Sequence, residues 1–219
     1  MEAGNIPLID FDTCGVHVNR VRKDDMLKVG KEIKEAFSTV GFCYLKNHGV
    51  EIDELEGYFK ASKKFFDLPA DKKLPIERGT ESNFGWGAME REHINPERPG
   101  DLKEIFNYAP NDDRDDWPCE EFHASSKHMF SVCKELTYRV LDALSVGLGL
   151  GESFMRDAHK FMGGIGNSST LRSLFYPPLP AEIKPGQIRL GEHSDYGSIT
   201  LLYQDDIGGL EVNIPGELR

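Results

Sequence analysis

The sequence predicts an α+β fold, in which a helical N-terminal region packs on a jelly-roll sheet. The first observation is the order of the candidate elements, which runs strand, helices, strands, one long helix and then strands only. The second is an apolar pattern over residues 122–148 that returns at spacings of three and four, as in an amphipathic helix. The third is the length, because 219 residues suffice for one domain with a substantial core.

The composition excludes several classes of protein. With 39% hydrophobic and 29% charged residues, the chain is typical of a globular protein and not of a disordered one. It has no apolar run near the roughly 20 residues of a membrane helix, and its first five residues lack the features of a secretory signal. We therefore expect a cytoplasmic protein without a membrane partner.

The net charge of -11 argues against nucleic acid as a partner. The four cysteines show no Cys-x-x-Cys spacing, so they indicate neither a zinc site nor a disulfide framework.

The N-terminal region begins with a strand and a helix. Residues 6–11 alternate weakly, and a proline near the start of this strand places it at a sheet edge. Apolar residues return at spacings of three and four over residues 26–40. This pattern predicts a helix that is capped by Asp24 or Asp25 and ends at Gly41.

A short strand, a turn and a second helix follow. Residues 42–45 predict a buried strand, and residues 47–49 predict a turn in which His48 has a structural role. The pattern of residues 53–66 predicts a helix that ends at Leu68-Pro69. Its phenylalanine-rich stripe is typical of a side that faces a core.

The middle of the chain predicts loops and short strands. Residues 70–98 are rich in Gly, Pro, Asn and charge, and they surround a short strand at residues 84–87. Residues 103–108 predict a further strand. The acidic run at residues 112–116 is interpreted as a solvated loop, with an acidic docking surface as the alternative.

The long helix and its successors complete the scaffold. Glycines at 147, 149 and 151 stop the long helix, and a shorter helix is predicted at residues 153–162. Residues 170–176 predict a strand that ends at a Pro-Pro pair. Because side chains alternate along a strand, Arg172, Leu174 and Tyr176 share one of its faces.

The last quarter of the chain carries the pattern that points to chemistry. Residues 188–202 predict a strand, a break at Gly197 and a second strand. Side chains two apart in an extended backbone point the same way, so His193 and Asp195 share a face and can bind one cation. Arg189 falls on the same face and would supply positive charge. A His-x-Asp pair on its own is a weak signal, and a polar strand end is the alternative.

This stretch, together with Gln204-Asp205 and Gly208-Gly209-Leu210-Glu211-Val212, closely resembles the Fe(II)/2-oxoglutarate-dependent dioxygenases of the isopenicillin N synthase-like family. The resemblance extends from residue 6 to residue 212, which is almost the whole chain. It implies a 2-His-1-carboxylate iron site, with Fe(II) and 2-oxoglutarate as cofactors and ascorbate as reductant. It also implies O2 and a small organic molecule as the partners of the reaction.

The resemblance assigns roles to individual residues. His193 and Asp195 would be two of the three iron ligands, and Arg189 would help to bind 2-oxoglutarate. The family often carries Asn-x-Tyr-Pro where this chain has Leu174-Phe175-Tyr176-Pro177. Tyr176 is therefore a candidate contact for 2-oxoglutarate, and an ordinary core tyrosine is the alternative.

The resemblance also implies parts that this sequence does not contain. The family's third ligand is a histidine in a later strand, followed by an Arg-x-Ser, and the sequence ends at Arg219 before either appears. About half of the jelly-roll strands are expected to be present. We therefore expect a truncated or short form of an enzyme that hydroxylates or oxidises a small organic substrate. The alternatives are a non-catalytic binding or regulatory protein on the same scaffold, and an oxidase that does not use 2-oxoglutarate.

The expected organisation has three parts. Residues 1–120 form a non-haem dioxygenase N-terminal region, residues 121–165 a long core helix and joint, and residues 166–219 a partial jelly-roll domain. By resemblance, the loops around residues 84–87 form part of the substrate pocket. Trp86 and Met89 are therefore candidates for substrate contact, with simple loop packing as the alternative.

Overall fold

The computed structural model describes residues 6–213, in which helices and short strands succeed one another along the chain. In chain order they are β1 Leu8–Asp10, α1 Lys23–Thr39, β2 Tyr44–Lys46, α2 Ile52–Phe66, α3 Ala70–Lys73, β3 Gly85–Gly87, β4 Glu104–Tyr108, α4 Glu120–Gly147, α5 Phe154–Ala158 and β5 Leu171–Phe175. Short 3-10 helices lie at Asp12–Cys14, Leu74–Ile76 and Pro110–Asp112. The mixture confirms the α+β class. Within residues 6–213, no helix has the length and apolar character that crossing a membrane requires.

The chain divides into two units. The first comprises the described residues up to Val50, then Val132–Lys160 and the described residues from Ile199 onward. The second comprises Glu51–Ser131 and Phe161–Ser198. Helix α4 contributes its first turns to the second unit and its remainder to the first.

The first unit has its core between α1, β1 and the second half of α4. Strands β1 and β2 pair in parallel, with Leu8 opposite Tyr44. The apolar stripes of the two helices supply most of the buried residues, as their periodicity predicts. The buried cluster consists of Ile9, Phe11, Cys14, Val29, Ile33, Ala36, Leu136, Val140, Ala143 and Leu144.

The second unit is a three-stranded antiparallel sheet with an aromatic core on one face. The strand order is β3-β4-β5, and Phe106 of β4 lies opposite Trp86 and Ser173. Phe106 packs edge-on against Phe65 of α2, with ring centroids 5.1 Å apart. Phe65 in turn stacks on Phe122 of α4 at 4.9 Å. This face of the sheet is therefore covered by helices.

Three predictions about local structure are wrong. Neither Asp24 nor Asp25 caps α1, since the N-cap residue is Arg22. The two aspartates lie in the first turn, where their negative charge interacts favourably with the helix dipole. Residues 42–45 are not a buried strand, because β2 lies in a two-stranded sheet that leaves Phe42 and Tyr44 about half exposed. The shorter helix is a five-residue segment, Phe154–Ala158.

The predicted strands at residues 188–202 are also absent from the described part of the chain. A strand is defined by ladder hydrogen bonds to a neighbour, and no segment among residues 6–213 pairs with this stretch in that way. It runs as irregular backbone, and the Leu102 amide, two residues before β4, donates a hydrogen bond of 3.0 Å to the Ile188 carbonyl.

Candidate functional site

The candidate site lies in the second unit, where irregular backbone after residue 188 brings two polar side chains together. His193 Nε2 and Asp195 Oδ1 are 3.4 Å apart. Two donors that each bind a metal at about 2.0–2.2 Å lie roughly 3–3.5 Å apart at ordinary coordination angles. The separation of the two atoms is therefore that of possible metal co-ligands, although the segment forms no strand.

A hydrogen bond fixes the orientation of the imidazole. His193 Nδ1 donates to the backbone carbonyl of Gly191 at 2.9 Å. A carbonyl oxygen only accepts, so Nδ1 carries the proton and Nε2 of the neutral ring keeps its lone pair on the side of Asp195. Metal-binding histidines are typically oriented in this way by a partner on the other ring nitrogen. The residues present thus fit a metal ion.

The pair by itself is open to solvent and is not unique in the chain. The side chains of His193 and Asp195 are 37% and 53% exposed. In the first unit, His17 Nε2 lies at the same distance, 3.4 Å, from Asp12 Oδ1. Among residues 6–213, no group of three His, Cys, Asp or Glu side chains could hold a metal ion. The described residues therefore supply at most two protein ligands at any one position.

Arg189 and Tyr176 form a second pair of predicted site residues. Arg189 Nη1 donates to the carbonyl of Pro177 at 2.9 Å, which places the guanidinium beside the end of β5. Burial raises the pKa of the Tyr176 hydroxyl, and the charge of Asp101 raises it further against the opposing charges of Arg172 and Arg189. The hydroxyl therefore remains protonated and available as a hydrogen-bond donor at neutral pH.

A charged network lies in the same unit. The Glu92 carboxylate accepts hydrogen bonds from Arg78 at 3.0 Å and from Arg172, and it lies 3.5 Å from the Lys103 ammonium. Lys103 also pairs with Asp101 at 2.5 Å, and both of those side chains are almost completely buried. Three cations thus face two carboxylates, and the group keeps a net positive charge.

Trp86, a candidate for substrate contact, lies in the protein interior. Its indole Nε1 donates to Glu104 Oε2 at 2.7 Å, and the Lys73 ammonium lies 5.0 Å from the centre of the ring. Lys73 bonds the same carboxylate at 2.7 Å. These contacts hold the indole in a buried ion-pair network, whereas Met89 remains partly exposed.

His48 accepts a hydrogen bond from the Val50 amide at 3.2 Å, which agrees with its predicted place in a turn.

An imidazole and a carboxylate that face one position are part of the ligand set of non-haem iron oxygenases. Comparison with known proteins agrees. Residues 6–128 match the family described as "non-haem dioxygenase in morphine synthesis N-terminal". The chain belongs to the Fe(II)/2-oxoglutarate-dependent dioxygenases, whose cofactors are Fe(II) and 2-oxoglutarate.

Two fungal proteins are among the relatives with sequence similarity. The chain is 32% identical to the 2-oxoglutarate-dependent dioxygenase htyE of Aspergillus rugulosus over 201 residues, which cover 83% of this chain and 60% of the relative. It is 30% identical to the proline hydroxylase buaE of Petromyces alliaceus, with 90% of this chain and 67% of the relative covered.

Solved structures of a Neurospora crassa protein are also similar to this chain. The full-length protein in complex with alpha-KG is 35% identical and superposes with a TM-score of 0.72, over 90% of this chain and 63% of that one. The same protein with alpha-KG and thymine gives 34% identity and a TM-score of 0.72. The chain thus spans about 60% of the length of the relatives that it matches.

Proposed function

We propose that this chain is part of an oxygenase that uses Fe(II), 2-oxoglutarate and O2 to hydroxylate or oxidise a small organic molecule. The observation that carries the proposal is the position of His193 Nε2 3.4 Å from Asp195 Oδ1, with Nδ1 engaged by the Gly191 carbonyl. An imidazole that is already oriented loses little freedom when it binds a metal. The alternative, a binding or regulatory protein, is favoured by no observation of its own.

Each residue of the site has a distinct task in this proposal. His193 Nε2 and the Asp195 carboxylate would hold Fe(II). The Arg189 guanidinium and the protonated Tyr176 hydroxyl bind a carboxylate of 2-oxoglutarate. The bound cofactors would supply the activation of O2, in which 2-oxoglutarate is oxidised to succinate and CO2 while the substrate gains one oxygen atom.

The remaining ligand and the rest of the sheet belong to the same proposal. The family resemblance implies a third ligand, a histidine, and an Arg-x-Ser beyond the residues present here. The relatives are longer than this chain, which supports that expectation. We likewise propose a jelly-roll core, a division of the chain at residues 120 and 165, a cytoplasmic location and the use of ascorbate. The family match over residues 6–128 supports the boundary near residue 120.

The substrate proposed for this chain is a small polar molecule. One relative is named a proline hydroxylase, and the Neurospora crassa protein has been solved with thymine and with 5-formyluracil. These are small ring compounds with hydrogen-bonding groups. The charged network around Glu92 and Arg172 supports a polar substrate rather than a purely apolar one.

Metal titration tests the proposal. Equilibrium dialysis under anaerobic conditions would measure Fe(II) binding by the chain and by its His193→Ala and Asp195→Ala variants. Loss of either ligand should weaken binding by at least the 10–100-fold that loss of a supporting residue typically costs. The matched control is His17→Ala, because that histidine lies at the same 3.4 Å from an aspartate. Equal affinity in the parent and His193→Ala, or a loss in His17→Ala, would contradict the assignment.

A further inference from the structure

The sheet of the second unit contains a buried polar group without a partner. Asn107 of β4 is 4% exposed, and its side-chain Oδ1 is inaccessible to solvent and accepts no hydrogen bond from the described residues. Buried polar atoms in folded proteins are nearly always satisfied, by protein, water or ligand. Asn107 Oδ1 therefore requires a donor that the described side chains do not provide.

The position of Asn107 in the sheet shows what lies beside it. Side chains alternate along β4, so Asn107 and Ile105 project from the face opposite to Phe106, which packs in the aromatic core. In register, Asn107 lies between Gly85 of β3 and Arg172 of β5. Residues directly opposite one another in antiparallel strands have their Cβ atoms about 4.5–5.5 Å apart. Arg172 is therefore the neighbouring side chain on this face.

Arg172 offers donors where Asn107 offers an acceptor. Its Nη2 bonds the Glu92 carboxylate, and within the described part of the chain Nε and Nη1 make no hydrogen bond. Glu92 is itself held by Arg78 and Lys103, so it fixes the guanidinium in place. The Arg172 side chain is 38% exposed, which leaves it accessible to a ligand from solvent.

The same face leads to the proposed 2-oxoglutarate contacts. Tyr176 follows β5 and shares the alternation of Arg172 and Leu174. Arg189 Nη1 donates to the carbonyl of Pro177, the residue that follows Tyr176, at 2.9 Å. A molecule bound at Asn107 and Arg172 would thus lie beside the cosubstrate site.

We propose that Asn107 and Arg172 form a substrate-recognition pair, in which Asn107 accepts one hydrogen bond and Arg172 donates another. The pair selects small molecules with an N–H donor beside a carbonyl acceptor, as cyclic amides and imides have. This inference rests on the proposed oxygenase function and specifies its substrate class. It makes Asn107 and Arg172 specificity-determining residues, distinct from the iron ligands and from the contacts to 2-oxoglutarate.

A comparison of two ligands tests the pair without any substitution. Calorimetric titration of the chain, with and without 2-oxoglutarate and Co(II) in place of Fe(II), would measure binding of thymine and of its N1,N3-dimethyl derivative. The derivative keeps the ring and both carbonyls but has no N–H donor. We expect thymine to bind at least about tenfold more tightly, because the dimethyl derivative would leave the buried Asn107 Oδ1 without a hydrogen bond, which costs binding free energy. Equal affinities, or no binding of thymine, would overturn the inference.

Variants then assign the effect to the two side chains. Asn107→Leu and Arg172→Gln should each weaken thymine binding about tenfold or more, whereas Asn107→Asp keeps an acceptor and should retain most of it. The matched controls are Asn19→Leu and Arg20→Gln, which are exposed residues of the other unit. Unchanged thymine binding in Asn107→Leu would mean that Oδ1 holds only a water molecule, and would overturn the pair.

The design separates the inference from the function on which it rests. Binding of L-proline, measured in parallel, tests the different idea that Arg172 recognises a carboxylate, and tighter binding of proline than of thymine would overturn the pair. If 2-oxoglutarate and Co(II) bind but thymine does not, the substrate class is wrong and the oxygenase proposal remains. If thymine is discriminated from its dimethyl derivative while metal binding survives in His193→Ala, the pair remains and the proposed iron site is wrong.

Discussion

Replacing Gly30 with alanine should destabilise the first unit, because α1 and α4 approach each other too closely there for a side chain. A Cβ atom on Gly30 would lie 1.9 Å from the carbonyl oxygen of Ala143 and 3.0 Å from the amide nitrogen of Gly147. Ordinary van der Waals contact begins near 3.4 Å. The helices would have to separate by about 1.5 Å, and the atoms in the way are backbone atoms that cannot rotate aside.

Two opposing effects determine how much Gly30→Ala changes the free energy of unfolding. Overpacking typically costs about 1–3 kcal/mol, and separation of the helices also loosens the contacts of Ile33 and Val140 in the same core. Alanine in place of a helical glycine recovers up to about 1 kcal/mol. We therefore expect a net loss of about 2 kcal/mol in the free energy of unfolding, which corresponds to a fall of roughly 4–8 °C in Tm for a chain of this length.

A second helical glycine provides the control. A Cβ atom on Gly57 of α2 would meet nothing within 4 Å, so Gly57→Ala should stabilise the protein by up to about 1 kcal/mol. Urea denaturation followed by circular dichroism measures both variants. A Gly30→Ala protein as stable as the parent, or a shift of the same sign in both variants, would refute the close approach of α1 and α4.

Two further predictions concern the core and the charged network. Leu136 is 1% exposed, so Leu136→Ala should lower the free energy of unfolding by about 2–5 kcal/mol, against about 0.5 kcal/mol or less for the half-exposed Leu150→Ala, as urea denaturation would measure. Burial alone would raise the pKa of Glu92, but Arg172, Lys103 and Arg78 outweigh it and hold the pKa below its usual 4.5. This stabilisation is therefore present above pH 4.5 and is lost as the pH falls through the lowered value. Thermal unfolding between about pH 5 and pH 3 should thus show a steeper loss of stability in the parent than in Glu92→Gln, and parallel curves would contradict the network.

Local sequence patterns were sufficient for the helices. The stripes of α1, α2 and α4 predicted which sides are buried, because a helix exposes residues three and four apart on one face. His193 and Asp195 were predicted to lie together from a spacing of two. That argument needs only a locally extended backbone and not a paired strand, and the two side chains lie 3.4 Å apart although residues 188–202 form no strand.

The features that the sequence did not predict depend on distant parts of the chain. Asn107 and Arg172 are neighbours only because β4 and β5 pair in one register, although 65 positions separate them. A polar residue between Phe106 and Tyr108 in a short strand was the available signal for Asn107. The burial of Trp86 likewise depends on Lys73 and Glu104, whose contacts with it form only in the folded protein.

The most direct test of the account is to locate a paramagnetic ion bound to the chain. Mn(II), added with 2-oxoglutarate to isotope-labelled protein, should broaden the amide resonances of residues 191–197 at the lowest ion concentrations, because His193 and Asp195 face one position there. The same resonances should stay sharp in His193→Ala and broaden as in the parent in His17→Ala. Broadening that centres on Asp12 and His17, or that persists around residue 193 in the His193→Ala variant, would contradict the assignment of the iron site.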